Sequence, residues 1–151
     1  MSRLKKGSAI AAACCALVGS FEGLRQVAYL DVIGVPTACY GETKNIKLGM
    51  KFTRQECEGM LIESLMAHER GMMACTKVEL PDDRYAALLS FTYNVGVGAY
   101  CSSTLVKKLN AGDVVGACNE LSRWTRAKGI VFPGLVKRRA AERELCLKGV
   151  A

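Results

Sequence analysis

Glu22, Asp31 and Thr37 fall in one stretch, GSFEGLRQVAYLDVIGVPTACYGET at 19–43, among glycines and β-branched residues. Two carboxylates and a hydroxyl can cleave a glycosidic bond. One carboxylic acid stays protonated in apolar surroundings, one carboxylate stays ionised, and the hydroxyl holds a water or a sugar hydroxyl. Carboxylates nine positions apart cannot share one helix face. For Glu22 and Asp31 to face each other, a helix must end at Gly23 and the chain must double back, leaving Glu22 at the helix end and Asp31 at the rim of a sheet. Phe21, Leu24, Val27 and Tyr29 supply apolar surroundings for Glu22. Spacing alone leaves the plainer reading open, because acidic pairs in loops also serve as caps and solvated groups.

The element before Glu22 is expected to be a helix over 7–21. Ile10, Cys14, Leu17, Val18 and Phe21 fall on one stripe of it, opposite a face of small residues, Ala11, Ala12, Cys15, Ala16 and Gly19. Its fifteen uncharged residues follow Arg3, Lys5 and Lys6. A bilayer crossing takes roughly 20, so a stable membrane anchor is not expected, although a basic flank before a short apolar run is also how a secretory signal begins. From Val27 to Gly49, Val, Ile, Thr and Tyr mix with Gly34, Pro36 and Gly41, the composition of short antiparallel strands and turns.

The remainder, 51–151, reads as helical. Thr53 and Glu56 form a capping box before a helix. A second helix enters through Pro81 and Asp82 and stops at Gly96, a third lies in SSTLVKKLNAG, a fourth is DVVGACNELSRWT behind Asp113, and the last is GLVKRRAAERELCLKG. The sum is an α+β chain of 151 residues in a single domain: a helix, a small sheet at 22–50, then a helical lobe.

Lys and Arg number 21 against 14 Asp and Glu, so the surface favours anionic partners such as nucleic acid, anionic lipid or bacterial cell wall. Eight cysteines accompany one histidine, with no C-x-x-C or H-x-x-x-H, so disulfides or buried thiols are expected in place of a metal site. Adjacent Cys14 and Cys15 point to different helix faces, leaving one available for exchange with another cysteine such as Cys39.

The segment FEGLRQVAYLDVIGVPTACYGET resembles the catalytic segment of phage-type lysozymes, the endolysins of glycoside hydrolase family 24, whose pattern is Glu, eight residues, Asp, five residues, Thr. The resemblance continues through ALLSFTYNVGVGAYCSSTLVKKLNAGD and RWTRAKGIVFPGLVKRRAAERELCLKG, from about Ala9 onward. It implies a lysozyme-like α+β fold with the active-site cleft between the sheet and the helical lobe. The implied activity is that of a muramidase cleaving the β-1,4 bond between N-acetylmuramic acid and N-acetylglucosamine, used by a phage or prophage for host lysis. Glu22 is then the general acid. Asp31 stabilises the oxocarbenium-like transition state or helps activate water, and Thr37 positions that water. Tyr40 and Asn94 are further candidates for contact with the saccharide. The implied partner is the peptidoglycan glycan strand, with no nucleic acid, no cofactor, no metal and a monomeric state. The implied place of action is the periplasm, reached from the cytoplasm through a holin or by release of a weak N-terminal signal-anchor after transient association with the inner membrane. Where many members have Gly-His after the threonine strand, this chain has Gly41 and Glu42, and a change in local hydrogen bonding is expected there.

The remaining candidates have structural readings. His68 lies mid-helix with no nucleophile beside it, Trp124 is expected to anchor a core, and Asn94 could equally cap or pack. On the last helix the order Leu135, Arg139, Glu142 and Leu145 suggests one buried edge, and the basic cluster Lys137, Arg138, Arg139 and Arg143 is read as a solvated helix face interleaved with Glu142 and Glu144, ahead of a patch for anionic cell wall or outer-membrane lipid. The competing function is a non-catalytic cationic protein of the same fold, binding the cell wall or perturbing membranes. A lytic transglycosylase, which cleaves the glycan without water, is a third; Asp31 and Thr37 favour hydrolysis.

Overall fold

The computed structural model describes residues 2–150, and the chain divides into two compact units, 1–66 and 67–151. In the first unit, Ser8 is the N-cap of α1, Ala9–Glu22, its Oγ accepting the Ala11 N–H at 3.2 Å. This cap is why the helix opens two residues later than the apolar run predicts. Gly23, at φ 75°, ends it and donates its N–H to Gly19 O at 3.0 Å. A side chain at this φ would be strained, so glycine sets the point where Glu22 leaves the helix. The fully buried positions are Ala11, Cys14 and Val18, while Ile10, Leu17 and Phe21 are half-buried. The helix is thus rotated toward its small face relative to the expected stripe. The physical reason is Tyr40, whose ring lies so close that a Cβ on Gly19 would come within 3.0 Å of it. No described helix is long and apolar enough to cross a membrane.

The expected sheet is a hairpin of β1, Arg25–Leu30, and β2, Pro36–Cys39. Tyr29 pairs with Thr37 and Leu30 with Pro36, and the register shifts between Arg25 and Tyr29, a bulge that bends β1. Residues 50–52 run along its other edge, Met50 O accepting from Ala28 N–H at 2.9 Å and Phe52 N–H donating to Gln26 O at 2.8 Å. The capping box then opens α2, Arg54–Cys75: Thr53 Oγ1 accepts the Glu56 N–H at 3.0 Å and Glu56 Oε1 accepts the Thr53 N–H at 2.9 Å. A disulfide from Cys39 to Cys57 ties the end of β2 to this helix start. Such a cross-link of a short loop stabilises the fold by about 3 kcal/mol, chiefly by restricting the unfolded chain.

Cys14 and Cys15 lie outside the disulfides, and they do differ in their surroundings. Cys14 is buried in the core of the unit, and Cys15 is half-buried. Burial, with Glu58 nearby, pushes the Cys15 thiol up to about 11, so at neutral pH it is protonated. Only the thiolate attacks a disulfide, so Cys15 is a poor nucleophile while α1 stays folded and packed.

The second unit is helical. It takes the latter part of α2, then α3 (Asp82–Val95), α4 (Val97–Ser102), α5 (Thr104–Asn110), α6 (Val114–Glu120), a 3₁₀ turn at Leu121–Arg123, and α7 (Pro133–Leu147). A two-stranded hairpin of β3, Arg126–Ala127, and β4, Ile130–Val131, precedes α7. The stops expected at Gly96 and the caps expected at Ser103 and Asp113 are all in place. Helix α4 and the β3–β4 hairpin were not legible in the sequence, and the helix behind Asp113 closes at Glu120, leaving Trp124 outside it. Tyr85, Leu88, Leu89, Phe91, Tyr100, Leu105 and Cys146 are completely buried in this unit, and disulfides Cys75–Cys101 and Cys118–Cys146 cross-link it.

The reading of α7 as a solvated basic face is corrected for Arg138 and Arg139, while Arg139 and Glu142 do lie on the buried edge that their spacing suggests. Lys137 and Arg143 are exposed, whereas Arg138, Arg139 and Glu142 are 4%, 1% and 0% exposed. Glu142 accepts from Arg139 Nη1 at 2.6 Å, from Arg138 Nε at 3.2 Å and from the Ser90 hydroxyl at 2.6 Å. Arg138 also donates to Ser90 O at 3.0 Å, and Arg139 Nε to Trp124 O at 2.9 Å. The Arg139 guanidinium lies 4.9 Å from the centre of the Phe91 ring. Burial pulls it below the usual arginine range, and Glu142 pulls in the opposite direction. Two cations enter an apolar interior here because one carboxylate and a set of carbonyls satisfy them.

Candidate active site

Glu22, Asp31 and Thr37 all belong to the first unit, and each is placed by a different local device. Glu22 is the last residue of α1, half-buried, with the chain released by Gly23 directly into β1. Asp31 follows the last residue of β1 and closes the β1–β2 turn with its own side chain. Its Oδ1 accepts the Ile33 N–H at 2.9 Å and the Val35 N–H at 2.8 Å. The backbone completes the turn: Asp31 N–H donates to Val35 O, and Gly34 N–H, from a residue at φ 82°, donates to Asp31 O, both at 3.0 Å. Both side-chain bonds fall on one oxygen. The carboxylate is therefore oriented without using Oδ2, which is the atom left to act on a ligand.

Thr37 lies in β2 opposite Tyr29 and is 5% exposed. Its hydroxyl donates to Val35 O at 2.9 Å, so its proton is committed and its lone pairs face outward as an acceptor. Val35 thus links two candidates, its N–H held by Asp31 and its carbonyl by Thr37. The turn is a rigid mount for a carboxylate and a hydroxyl six positions apart.

The structure places the other candidates differently. Tyr40 is 7% exposed, its ring against Gly19, and its phenol is pushed up by burial and then by Glu58. It helps line a cavity of about 640 Å³ with Ala11, Cys15, Arg54, Glu58 and Ile62; Glu22, Asp31 and Thr37 are not part of that lining. Glu42 is bridged to Ala38 by backbone hydrogen bonds of 2.8 and 2.9 Å, and its carboxylate accepts the Ser64 hydroxyl at 2.9 and 3.1 Å. The residue that replaces the expected histidine therefore fastens the β2 turn to α2. In the second unit Asn94 is exposed, and its Oδ1 accepts from Arg139 Nη2. Its side-chain NH₂ is a fixed donor pair as a result, a feature the sequence did not reveal because the orienting arginine is 45 residues away. His68 lies against Tyr93, ring centres 5.0 Å apart, and Trp124 stands edge-on to Phe91 at 5.3 Å, both as packing groups.

The family described as Phage lysozyme matches residues 19–142, a span that includes Glu22, Asp31, Thr37 and Asn94. A protein named SAR-endolysin from Bacteriophage PS119 is 44% identical over 149 residues, 95% of this chain and 89% of that protein. Among solved structures, the endolysin from Escherichia coli O157:H7 phage FAHEc1 superposes with a TM-score of 0.84 at 32% identity, covering 95% of this chain and 94% of that one. The muramidase domain of SpmX from Asticaccaulis excentricus gives 0.83 at 30% identity, covering 89% of this chain and 95% of that one. With the matched span covering most of its length, this chain belongs to the phage lysozyme family.

Proposed function

We propose that Glu22, Asp31 and Thr37 carry out the muramidase reaction with which this phage lysozyme cuts bacterial peptidoglycan during host lysis. Glu22 gives its proton to the glycosidic oxygen as the bond to C1 of N-acetylmuramic acid breaks, releasing the 4-hydroxyl of N-acetylglucosamine. Asp31, through Oδ2, stabilises the positive charge that develops at C1 or draws a proton from the incoming water. Thr37 accepts a hydrogen bond from that water. One water is consumed: its hydroxyl joins C1, and its remaining proton restores the acid.

The observation that carries this reading is the β1–β2 turn, in which Asp31 keeps one oxygen for the backbone and Thr37 spends its proton on Val35. Asp31→Asn tests it, because an amide oxygen can still accept from Ile33 and Val35 while the charge is gone. The rate of clearing a peptidoglycan suspension should fall about a hundredfold or more with thermal stability unchanged. A variant that clears at the wild-type rate contradicts the assignment. The oriented amide of Asn94 is suited to donate to a saccharide carbonyl or hydroxyl, and Tyr40 supports the site by seating α1 on the sheet.

For export, residues 7–21 and the basic residues before them serve as a weak signal-anchor, as the name of the SAR-endolysin relatives suggests. While that segment is held in the inner membrane, Glu22 is kept at its surface away from Asp31, and release lets α1 fold and complete the site. Fractionation of cells before lysis should find the protein with the inner membrane. Full-length protein confined to the cytosol until a holin opens the membrane contradicts this.

A further inference from the structure

The two residues at the tip of the β1–β2 turn break the rule that turns are polar. Val32 and Ile33 are 103% and 80% exposed, and Leu30, just before them, is 52% exposed. The position is not a loose loop, since four hydrogen bonds of 2.8–3.0 Å pin Asp31, Ile33, Gly34 and Val35 to one another. Two branched apolar side chains are therefore held rigidly in water beside the carboxylate of Asp31. Successive Cα atoms are about 3.8 Å apart, so both tip residues lie within a few ångströms along the chain of the residue that carries the carboxylate. A local choice that costs solubility and contradicts turn chemistry marks a contact surface.

We propose that Val32 and Ile33 form an apolar subsite that receives the methyl-bearing substituents of the muramic acid residue, the lactyl ether at C3 and the peptide attached through it. The inference rests on Asp31 belonging to the muramidase site. The N-acetyl methyl is common to both sugars of the strand, whereas the lactyl methyl and the side chain of the peptide residue joined to it belong to muramic acid alone and are groups that two branched side chains can cover. An anionic bilayer is the other surface that would attract an apolar tip. Residues 31–35 carry no cation, and the charge nearest the tip is the carboxylate of Asp31, which such a bilayer repels.

The test measures KM and kcat separately on purified peptidoglycan for the wild type, Val32→Ser/Ile33→Ser and Val32→Leu/Ile33→Leu, with Glu22→Gln alongside. Sedimentation with phosphatidylglycerol vesicles is measured for the same proteins. The serine pair should raise KM about tenfold with kcat within about twofold, the scale expected for losing two partly covered apolar groups, and the leucine pair should restore KM. Unchanged KM in the serine pair overturns the subsite. So does a fall in kcat alone, which would mean that the tip acts by holding Asp31, and so does a loss of vesicle binding with unchanged kinetics, which would assign the tip to lipid. A wild type no more active than Glu22→Gln would instead overturn the muramidase assignment beneath it.

Discussion

Glu22→Gln should abolish peptidoglycan clearing, lowering kcat by about a thousandfold, within the range expected for loss of a general acid. The amide has the shape of the acid but no proton to give. It occupies the last position of α1, where the cap is made by the Gly23 N–H and the Gly19 carbonyl and not by the glutamate, so the helix end survives the exchange. That separation makes the variant informative. Clearing by Glu22→Gln at a rate near wild type would remove the acid from the mechanism and favour a cationic wall-binding protein in which the α1 carboxylate has no chemical role.

Glu142→Ala should behave in the opposite way, through the fold. It takes from Arg138 and Arg139 the buried carboxylate they share, and removing one partner from such a cluster costs about 3–5 kcal/mol. In a chain of this size that lowers the melting temperature by roughly 10 °C. The loss should exceed that of Lys137→Ala, an exposed cation on the same helix, by several kcal/mol, because a solvated charge away from such features changes stability within about 0.5 kcal/mol. Replacing Arg138, Arg139 and Glu142 together by apolar residues of similar volume should recover part of the stability, since the two buried cations leave with the carboxylate they share. Equal, small effects of Glu142→Ala and Lys137→Ala in thermal denaturation would restore the solvated-face reading of α7.

The elements that residue patterns made legible are those controlled locally. Thr53 with Glu56, Gly23, Gly96, Ser103 and Asp113 each act within one turn of chain, and each starts or stops a helix where its chemistry says it should. The catalytic pattern was legible for a related reason: a helix end, one short strand and a tight turn set its geometry within one continuous segment. What stayed hidden depends on distant partners. Arg138 and Arg139 look like surface cations until Ser90, Asn94 and Trp124 are brought to them. The rotation of α1 toward its small face follows from Tyr40, whose ring fills the space that glycine leaves at position 19. Helix α4 and the hairpin before α7 are too short to show a period, so tertiary packing and not pattern defines them. The cysteines announced disulfides without their pairing, because three bridges among eight residues are set by proximity in the fold.

The central claim is that this chain hydrolyses peptidoglycan through Glu22 with water as the acceptor. The direct measurement is mass spectrometry of the fragments released from purified peptidoglycan by the wild-type protein, with and without borohydride reduction. Fragments ending in reducible N-acetylmuramic acid, absent when Glu22→Gln is used, are the predicted result. Fragments ending in the anhydro sugar, or the same products from both proteins, would contradict it.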